Sequence, residues 1–321
     1  MPPIKIGVAG VGSMGVNHCK VLHMLKKADF IGVFDIDQKR SEKVAKTFGV
    51  QSFSSFKELI NTVDAVIIAV HTSHHFSLTM QAIQKGKHVL VEKPFVSSLQ
   101  EAKKIINAVD KGSVVVQVGH VERFNPAFTQ LSKLINTENV ISLETRRFGV
   151  PNRSIETDVI LDLMIHDIDL ILHLVTSPIL TVNAVGYFIE DGNQLEAASA
   201  LISFQNGCFA SLLSSRYSLD KKREINVTEK DKFLKTNLLT KELFVYHKSD
   251  LSPSNNPSYH VENIIEKIII PHQETLYLEI EHFIQSIQFR QSPLVGVHDA
   301  YKVLEIAVKI KDQIEKGKNQ G

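Results

Sequence analysis

The N-terminal part of the chain alternates short, continuously apolar runs with helix-like patterns, and this alternation constrains the fold most strongly. The predicted strands are Ile4–Ala9, Phe30–Phe34, Ala65–Val70, His88–Val91 and Val114–Val118. The predicted intervening helices are Met14–Leu25, Gln38–Phe48, His75–Lys85 and Leu99–Val109. Strands that are apolar throughout are typical of a parallel sheet covered by helices on both faces. The sequence therefore predicts an N-terminal α/β domain.

The pattern changes after this region. A connecting helix containing Pro126 and a long helix at Val159–Leu174 are followed by strands in series, which indicates a mostly antiparallel sheet. These predicted strands are Ile179–Glu190, Ala197–Phe204, Cys208–Ser215, Arg223–Glu229 and Glu242–Tyr246. A polar loop is predicted at Ser249–Tyr259, and helices at Glu274–Phe289 and His298–Glu315. The predicted fold is an α/β Rossmann domain at residues 1–122 and an α+β domain with an open sheet at residues 123–321.

Composition excludes several classes of protein. The 321 residues carry a formal net charge of +1, which does not favour nucleic acid or an anionic membrane as a partner. The two cysteines, Cys19 and Cys208, lie far apart and form no metal-binding or redox motif. No apolar stretch is long enough to span a bilayer. A cytoplasmic location is therefore expected.

A glycine-rich turn, Gly10-Val11-Gly12-Ser13-Met14-Gly15, directly follows the first predicted strand and opens the first helix. In this context the pattern is typical of a dinucleotide site. Gly10 would permit the tight turn, Gly12 would let the backbone approach a pyrophosphate, and Gly15 would allow close packing of helix on strand. The helix N-terminus would offer free N–H groups to the phosphates. An ordinary strand-to-helix turn is the alternative.

Asp35 ends the second predicted strand. A carboxylate at this position accepts hydrogen bonds from both adenosine ribose hydroxyls and repels a 2′-phosphate, which favours NAD over NADP. Arg40 lies nearby and is the residue that could counter this preference. A solvated aspartate at a strand end is the alternative.

Lys93 follows the fourth predicted strand within Glu92-Lys93-Pro94, at the carboxyl edge of the sheet where such folds bind ligands. A surface lysine before a turn is the alternative. An ammonium group there can stabilise a substrate oxygen. Asp162 and His166 are four residues apart on a predicted helix and share a face, so the carboxylate can orient the imidazole as a proton acceptor. Asp162 and His166 also fit the polar stripe of an amphipathic helix, and spacing alone leaves both interpretations open.

The segment His71-Thr72-Ser73-His74-His75 has no carboxylate or cysteine paired with it, which argues against a metal site. A loop lining the nicotinamide side is the preferred interpretation, with His71, Thr72 and His75 as cofactor contacts. Arg146, Arg147 and Arg153 flank a predicted turn. They are either solvated charges or a grip for an anionic substrate.

Taken together, Gly10–Gly15, Asp35, Glu92-Lys93-Pro94 and Asp162 with His166 resemble the glucose–fructose oxidoreductase/inositol dehydrogenase (Gfo/Idh/MocA) family along nearly the whole chain. The resemblance implies a Rossmann domain that binds NAD and a second domain through whose sheet many members form dimers or tetramers. It further implies that the C-terminal helix, predicted at His298–Glu315, packs back near the Rossmann domain. It also implies that Lys93 and His166 act at the reacting carbon with assistance from Asp162, and that Glu92 belongs to the cofactor site.

Two segments, Gln117–Pro126 and Thr157–Asp167, resemble a narrower branch, the UDP-N-acetylglucosamine 3-dehydrogenases. This resemblance implies a UDP-N-acetylhexosamine oxidised at its 3-hydroxyl, an aminotransferase as pathway partner, and a product used for lipid A or other surface glycans. Arg123, Asn125 and Arg153 are the predicted substrate contacts. A dehydrogenase of another sugar or polyol, such as inositol, and a non-catalytic NAD(H) sensor are the alternatives.

Overall fold

The protein folds into two compact units. A computed structural model describes residues 2–150, 157–189, 194–247 and 264–318. The first unit comprises Met1–Phe124 and Gln273–Glu305, and the second comprises Asn125–His272 and Ile306–Gly321. This division differs from the predicted one mainly in Gln273–Glu305, which belong to the first unit.

The helices and strands are numbered along the described part of the chain. The helices are α1 (Ser13–Met24), α2 (Gln38–Phe48), α3 (Phe56–Thr62), α4 (His75–Gln84), α5 (Leu99–Asp110), α6 (Pro126–Leu134), α7 (Ile165–Leu174), α8 (Thr275–Phe289) and α9 (Val297–Lys318). The strands are β1 (Ile4–Ala9), β2 (Ala28–Phe34), β3 (Gln51–Ser52), β4 (Ala65–Ile68), β5 (His88–Glu92), β6 (Val116–Gly119), β7 (Val140–Phe148), β8 (Ile179–Phe188), β9 (Leu195–Phe204), β10 (Phe209–Ser215), β11 (Lys222–Glu229), β12 (Lys232–Asn237), β13 (Glu242–His247) and β14 (Ile264–Ile268). A π-helical turn (Ile160–Met164) leads into α7.

The first unit contains a parallel sheet with the strand order β3-β2-β1-β4-β5-β6. Strand β4 is buried along its whole length, which explains why its sequence is apolar throughout. Helices α1 and α8 contribute to one apolar core with β1, in which Ile280 and Phe283 of α8 are fully buried. This apolar face of α8 is the physical reason why Gln273–Glu305 belong to the first unit.

Helix α3 was not predicted, although its N-terminus carries a recognisable signal. The Ser55 hydroxyl accepts the N–H of Glu58, and the Glu58 carboxylate accepts the N–H of Ser54. Reciprocal bonds of this kind satisfy N–H groups that a helix start otherwise leaves without partners. The Ser-x-x-Glu spacing was therefore available in the sequence.

The second unit contains a sheet with the order β14-β13-β12-β11-β7-β10-β9-β8. Its neighbours are antiparallel except for the parallel pair β7 and β10, so the predicted Rossmann plus mostly antiparallel α+β architecture is confirmed. Strands β7, β12 and β14 were not predicted. The predicted loop Ser249–Tyr259 lies outside the described residues. Among the helices described, none combines the length and apolar character required to cross a bilayer.

Candidate active site

The glycine-rich turn joins β1 to α1 with the geometry that its sequence predicts. Gly10 has φ of +88°, a left-handed conformation that favours glycine, and its N–H donates to the Phe34 carbonyl at 2.7 Å. A Cβ atom at Gly10 would lie 2.6 Å from the Ala69 carbonyl oxygen, and one at Gly15 would overlap the Gly10 carbonyl oxygen. Both positions therefore exclude larger residues because of packing within the protein itself.

Gly12 differs from these two glycines. A Cβ atom at Gly12 would meet no atom of the described part of the chain within 4 Å, and the φ of −69° at Gly12 suits any residue. Helix α1 begins here without a side-chain cap and without an acidic residue in its first turn. Open space above the glycine and uncapped N–H groups are the features that a bound pyrophosphate requires. The turn therefore fits a dinucleotide on structural grounds.

Asp35 lies beside this turn at the end of β2 and is 7% exposed. Its two carboxylate oxygens accept the N–H groups of Val11 at 2.7 Å and Asp37 at 2.9 Å. These bonds hold a negative charge at the wall of a cavity of about 410 Å³, which Gly10, Gly12, Asp35, Arg40, His71 and His74 help to line. The cavity can receive the adenosine part of a dinucleotide.

The predicted contacts after β4 occupy different environments. His71 is exposed and its Nδ1 lies 3.0 Å from the Ser73 hydroxyl, while Thr72 is half-buried in the same 3-10 turn. His75 is buried, and its ring nitrogens face the Pro94 carbonyl at 2.8 Å and the Val70 carbonyl at 3.1 Å. Burial lowers the pKa of His75, against the effect of these carbonyls. His75 thus joins the loops that follow β4 and β5.

Lys93 follows β5 and is half-buried, and the Lys93–Pro94 peptide bond is cis. The preceding residue, Glu92, is buried and contacts a residue that sequence reasoning missed, His18 on α1. His18 Nε2 lies 2.6 Å from Glu92 Oε1. Burial raises the pKa of Glu92, but the hydrogen bond and charge of His18, together with Lys93, outweigh burial and hold this pKa below its usual value.

In the second unit, Asp162 lies in the π-helical turn and His166 in the first turn of α7. The N–H of Ile165 donates to the carbonyl of Ile160, the i→i+5 pattern that defines this turn. The predicted helix Val159–Leu174 is therefore helical but not uniformly α. Both Asp162 and His166 are half-buried. Turns of this type occur frequently at functional sites.

Arg216 and Glu196 support Asp162, and neither was predicted. The Arg216 guanidinium donates to both oxygens of Glu196, at 2.9 and 2.7 Å, and to the Thr157 carbonyl at 2.8 Å. Its Nη1 also lies 3.5 Å from Asp162 Oδ2. The charge beside Asp162 is thus held by a buried, forked ion pair. No local motif indicated it, because Glu196 lies on β9 and Arg216 directly after β10, 20 positions further along the chain.

The predicted substrate contacts are only partly described. Arg123 is 6% exposed and lies in a 3-10 turn after β6. Asn125 accepts the N–H of Ala127 at the start of α6 and donates to the Leu238 carbonyl. A substrate contact by either residue therefore stays a prediction. Arg153 lies outside the described residues.

Two further arginines near the predicted turn are engaged with carboxylates. Arg147 is buried, and its Nε donates to Asp167 Oδ1 at 2.9 Å. Arg146 is paired with Glu144 at 2.6 Å near the surface. Arg147 therefore forms a buried ion pair within the second unit. Within the described ranges, no cluster of three His, Cys, Asp or Glu residues is arranged to hold a metal ion.

Comparison with known proteins adds family-level findings. A family model described as "Oxidoreductase family, NAD-binding Rossmann fold" matches residues 4–120, and the "GFO/IDH/MocA C-terminal domain" model matches residues 99–230. The UDP-N-acetylglucosamine 3-dehydrogenase of Acidithiobacillus ferrooxidans is 29% identical over 97% of both chains. The scyllo-inositol 2-dehydrogenase (NAD(+)) of Bacillus subtilis is 27% identical over 98% of this chain and 95% of its own.

The solved structures give a consistent result. A UDP-N-acetylglucosamine 3-dehydrogenase from Acidithiobacillus ferrooxidans superposes with a TM-score of 0.89 at 30% identity, covering 98% of this chain and 99% of its own. Levoglucosan dehydrogenase in complex with NADH superposes with a TM-score of 0.86 at 19% identity, covering 98% of both chains. The second similarity concerns the fold alone.

Proposed function

This chain belongs to the GFO/IDH/MocA family of oxidoreductases, and from that premise we propose that it oxidises the 3-hydroxyl of a UDP-linked N-acetylhexosamine with NAD. The coarser statement, an NAD-dependent sugar dehydrogenase, follows from the family and its named members. The observation that carries the proposal is that three features occur together in one chain: a turn that fits a dinucleotide, Lys93, and Asp162 with His166.

The cofactor is assigned to the carboxyl edge of the parallel sheet. The open space at Gly12 and the free start of α1 support pyrophosphate binding, and the carboxylate of Asp35 supports ribose binding. The proposed cofactor contacts are Gly10, Gly12, Ser13, Met14, Gly15, Asp35, His71, Thr72, His75 and Glu92. Asp35 also favours NAD over NADP because its charge would repel a 2′-phosphate.

The proposed chemistry divides one oxidation among three side chains. Bound nicotinamide supplies the hydride acceptor. His166 takes the proton of the sugar hydroxyl, and Asp162 orients the imidazole and stabilises its charged form. Lys93 stabilises the negative charge that develops on the substrate oxygen or relays its proton. Arg216 supports this assignment because it restrains the Asp162 carboxylate.

The catalytic assignment is tested by Lys93→Met and His166→Asn. Each change should lower kcat by roughly 10²–10⁴-fold, because each removes a group that acts in the transition state. Affinity for NADH, measured by fluorescence titration, should stay nearly constant. Lys57→Met, an exposed lysine on α3, is the matched control. Near-normal turnover in both variants would refute the proposed roles.

The substrate class is tested by comparing UDP-sugars, free sugars and inositols with NAD. UDP-N-acetylglucosamine should give the highest kcat/KM, and free N-acetylglucosamine should be poor because it forfeits the binding energy of the diphosphate. Arg123, Asn125 and Arg153 are the proposed substrate contacts. Arg153→Ala should raise KM much more than it changes kcat. Equal turnover of free sugars would instead favour a polyol dehydrogenase, for which the similarity to the scyllo-inositol enzyme is the supporting observation.

We also propose self-association through the second unit's sheet. Val185, Tyr187, Leu201, Phe209 and Leu213 are exposed apolar residues on one face of β8, β9 and β10. A contiguous apolar face of this kind is typical of an interface. Light scattering should give a dimer or tetramer, and Leu201→Asp with Phe209→Asp should give a monomer. The aminotransferase partner and the use of the product in surface glycans remain proposals drawn from the resemblance.

A further inference from the structure

His18 connects the helix that begins at the dinucleotide turn with the residue before Lys93. The imidazole lies on α1 and is fully buried, and its Nε2 is 2.6 Å from Glu92 Oε1. The neighbouring buried positions of the same helix, Cys19, Val21 and Leu22, are apolar. An aliphatic residue would satisfy the packing at position 18, so a histidine there requires a polar reason.

That reason is the charge on Glu92. The pKa of Glu92 is held below its usual value, so its side chain is a carboxylate; a carboxylate only accepts hydrogen bonds, and Nε2 of His18 is therefore the donor. The N–H of Lys93 provides a second, longer contact to Glu92 Oε2 at 3.3 Å. A Cβ atom at Gly119 would lie 3.0 Å from this oxygen, so the glycine leaves room for the carboxylate. Glu92 is therefore held as an anion in a buried position, directly before Lys93.

An anion in this place acts on Lys93. A neighbouring negative charge favours the ammonium form of a lysine, and the carboxylate can remain charged in a buried position only while it has donors. Nδ1 of His18 has no hydrogen-bond partner among the residues that the structure describes. The polar function of this imidazole is thus directed at Glu92.

We propose that His18 is a positioning residue that acts through Glu92 to keep Lys93 charged and oriented for the reaction. The inference rests on the proposed function of Lys93. Under this proposal helix α1 has two functions. Its N-terminus binds the phosphates of the cofactor, and its residue His18 keeps Lys93 charged and oriented. The alternative is that His18 only holds α1 against β5.

The first experiment measures kcat and NADH affinity for His18→Leu and His18→Gln. The leucine variant should lower kcat by about ten-fold or more with NADH affinity changed less than about three-fold, since the phosphate-binding groups remain. The glutamine variant carries an N–H donor and should recover most of kcat. In a Lys93→Met background, His18→Leu should have no further effect on kcat, because both changes act on one group. His23→Leu, the same change on the exposed side of α1, is the control.

The second experiment needs no substrate. Lysines are acylated with acetic anhydride and quantified by mass spectrometry, with the exposed Lys39 and Lys57 as internal references. In His18→Leu the relative rate at Lys93 should rise by about three-fold or more, because the ammonium loses its charged neighbour. His23→Leu and His18→Gln should match the wild type. If Lys93 is labelled at the wild-type rate or more slowly in His18→Leu, the inference is wrong.

The two experiments separate the inference from the proposed function. Absence of sugar oxidation by the wild-type protein would reject the proposed function, while the labelling rate would still report whether His18 acts on Lys93. Additive losses of kcat in the His18→Leu, Lys93→Met double variant, with unchanged labelling, would show that His18 acts only on packing.

Discussion

At the scale of single residues, the dinucleotide turn contains glycines required for different reasons. A Cβ atom at Gly15 would collide with the Gly10 carbonyl, whereas one at Gly12 would meet no atom of the described residues within 4 Å. Packing within the protein explains why position 15 requires glycine, but it does not explain the glycine at position 12. The turn sequence therefore records both an internal packing constraint and the approach of a ligand.

This distinction predicts opposite behaviour for two alanine variants. Gly15→Ala should lower the free energy of unfolding by about 3 kcal/mol because the turn must shift to accommodate the methyl group. Gly12→Ala should change that free energy by less than about 1 kcal/mol but weaken NADH binding by about ten-fold or more. Urea unfolding and fluorescence titration measure the two effects. Unchanged NADH affinity in Gly12→Ala would contradict pyrophosphate binding at this turn.

At the scale of elements, the helical segment bearing Asp162 and His166 depends on Asp158. Its Oδ1 accepts the N–H groups of Ile160 and Leu161, and its Oδ2 accepts from Lys311 at 2.9 Å. Burial lowers the pKa of Lys311, but the hydrogen bond and charge of Asp158 outweigh burial and raise it overall. One carboxylate thus satisfies the start of the segment and ties it to α9.

The two functions of Asp158 are separable by substitution. Asp158→Ala removes both and should lower the free energy of unfolding by about 1–2 kcal/mol, the usual effect of losing a helix cap. Asp158→Asn keeps an oxygen acceptor and should cost less than about 1 kcal/mol, as should Lys311→Met, since a partly exposed ion pair contributes little. Chemical denaturation measures each value. Equal losses in the Ala and Asn variants would show that the ion pair, not the cap, dominates.

At the level of the complete fold, stability should depend on pH through buried and half-buried histidines of the first unit, among them His75, His88 and His282. Burial lowers the pKa of His88 and of His282 below 6.5. His88 Nδ1 accepts the N–H of Val115 at 2.9 Å, and His282 Nε2 accepts the N–H of Leu294 at 2.8 Å. A ring nitrogen accepts a hydrogen bond only when it carries no proton, so both contacts require the neutral ring.

The lowered pKa values of these histidines determine whether stability rises or falls with pH. Well above pH 6.5 both rings are neutral in the folded and unfolded chains and contribute no pH dependence. As the pH falls below 6.5, the unfolded chain binds protons that the folded protein resists, so stability falls by up to about 1.4 kcal/mol per pH unit for each histidine. His88→Asn keeps an acceptor without titrating and should reduce this slope between pH 6.5 and 5. If the slope of the unfolding free energy against pH, measured by urea unfolding, is unchanged in this variant, His88 does not contribute to the pH dependence.

Local patterns in the sequence predicted the parts of the fold that depend on short-range spacing. Continuous apolar runs predicted β1, β2, β4, β5 and β6 because a strand buried on both faces must be apolar throughout. The Gly10–Gly15 turn was predicted because a tight turn and a helix start need particular residues at fixed spacing. Strand β7 was not predicted because Arg147 lies in its interior, and a charged residue breaks the apolar pattern of a buried strand. In the structure, Arg147 is buried together with an ion-pair partner, Asp167, from a distant part of the sequence.

Contacts between residues that are far apart in the sequence became known from the three-dimensional structure. His18 and Glu92 are 74 positions apart, and Arg216 and Asp162 are 54 apart. No spacing rule reaches that far, since these contacts depend on how helices and strands pack after they form. The assignment of α8 to the first unit has the same origin, because an apolar helix face fits many cores until the fold selects one. Short motifs therefore predicted the candidate catalytic and cofactor-binding residues. The residues that position them, such as His18 and Arg216, could be found only from contacts in the folded structure.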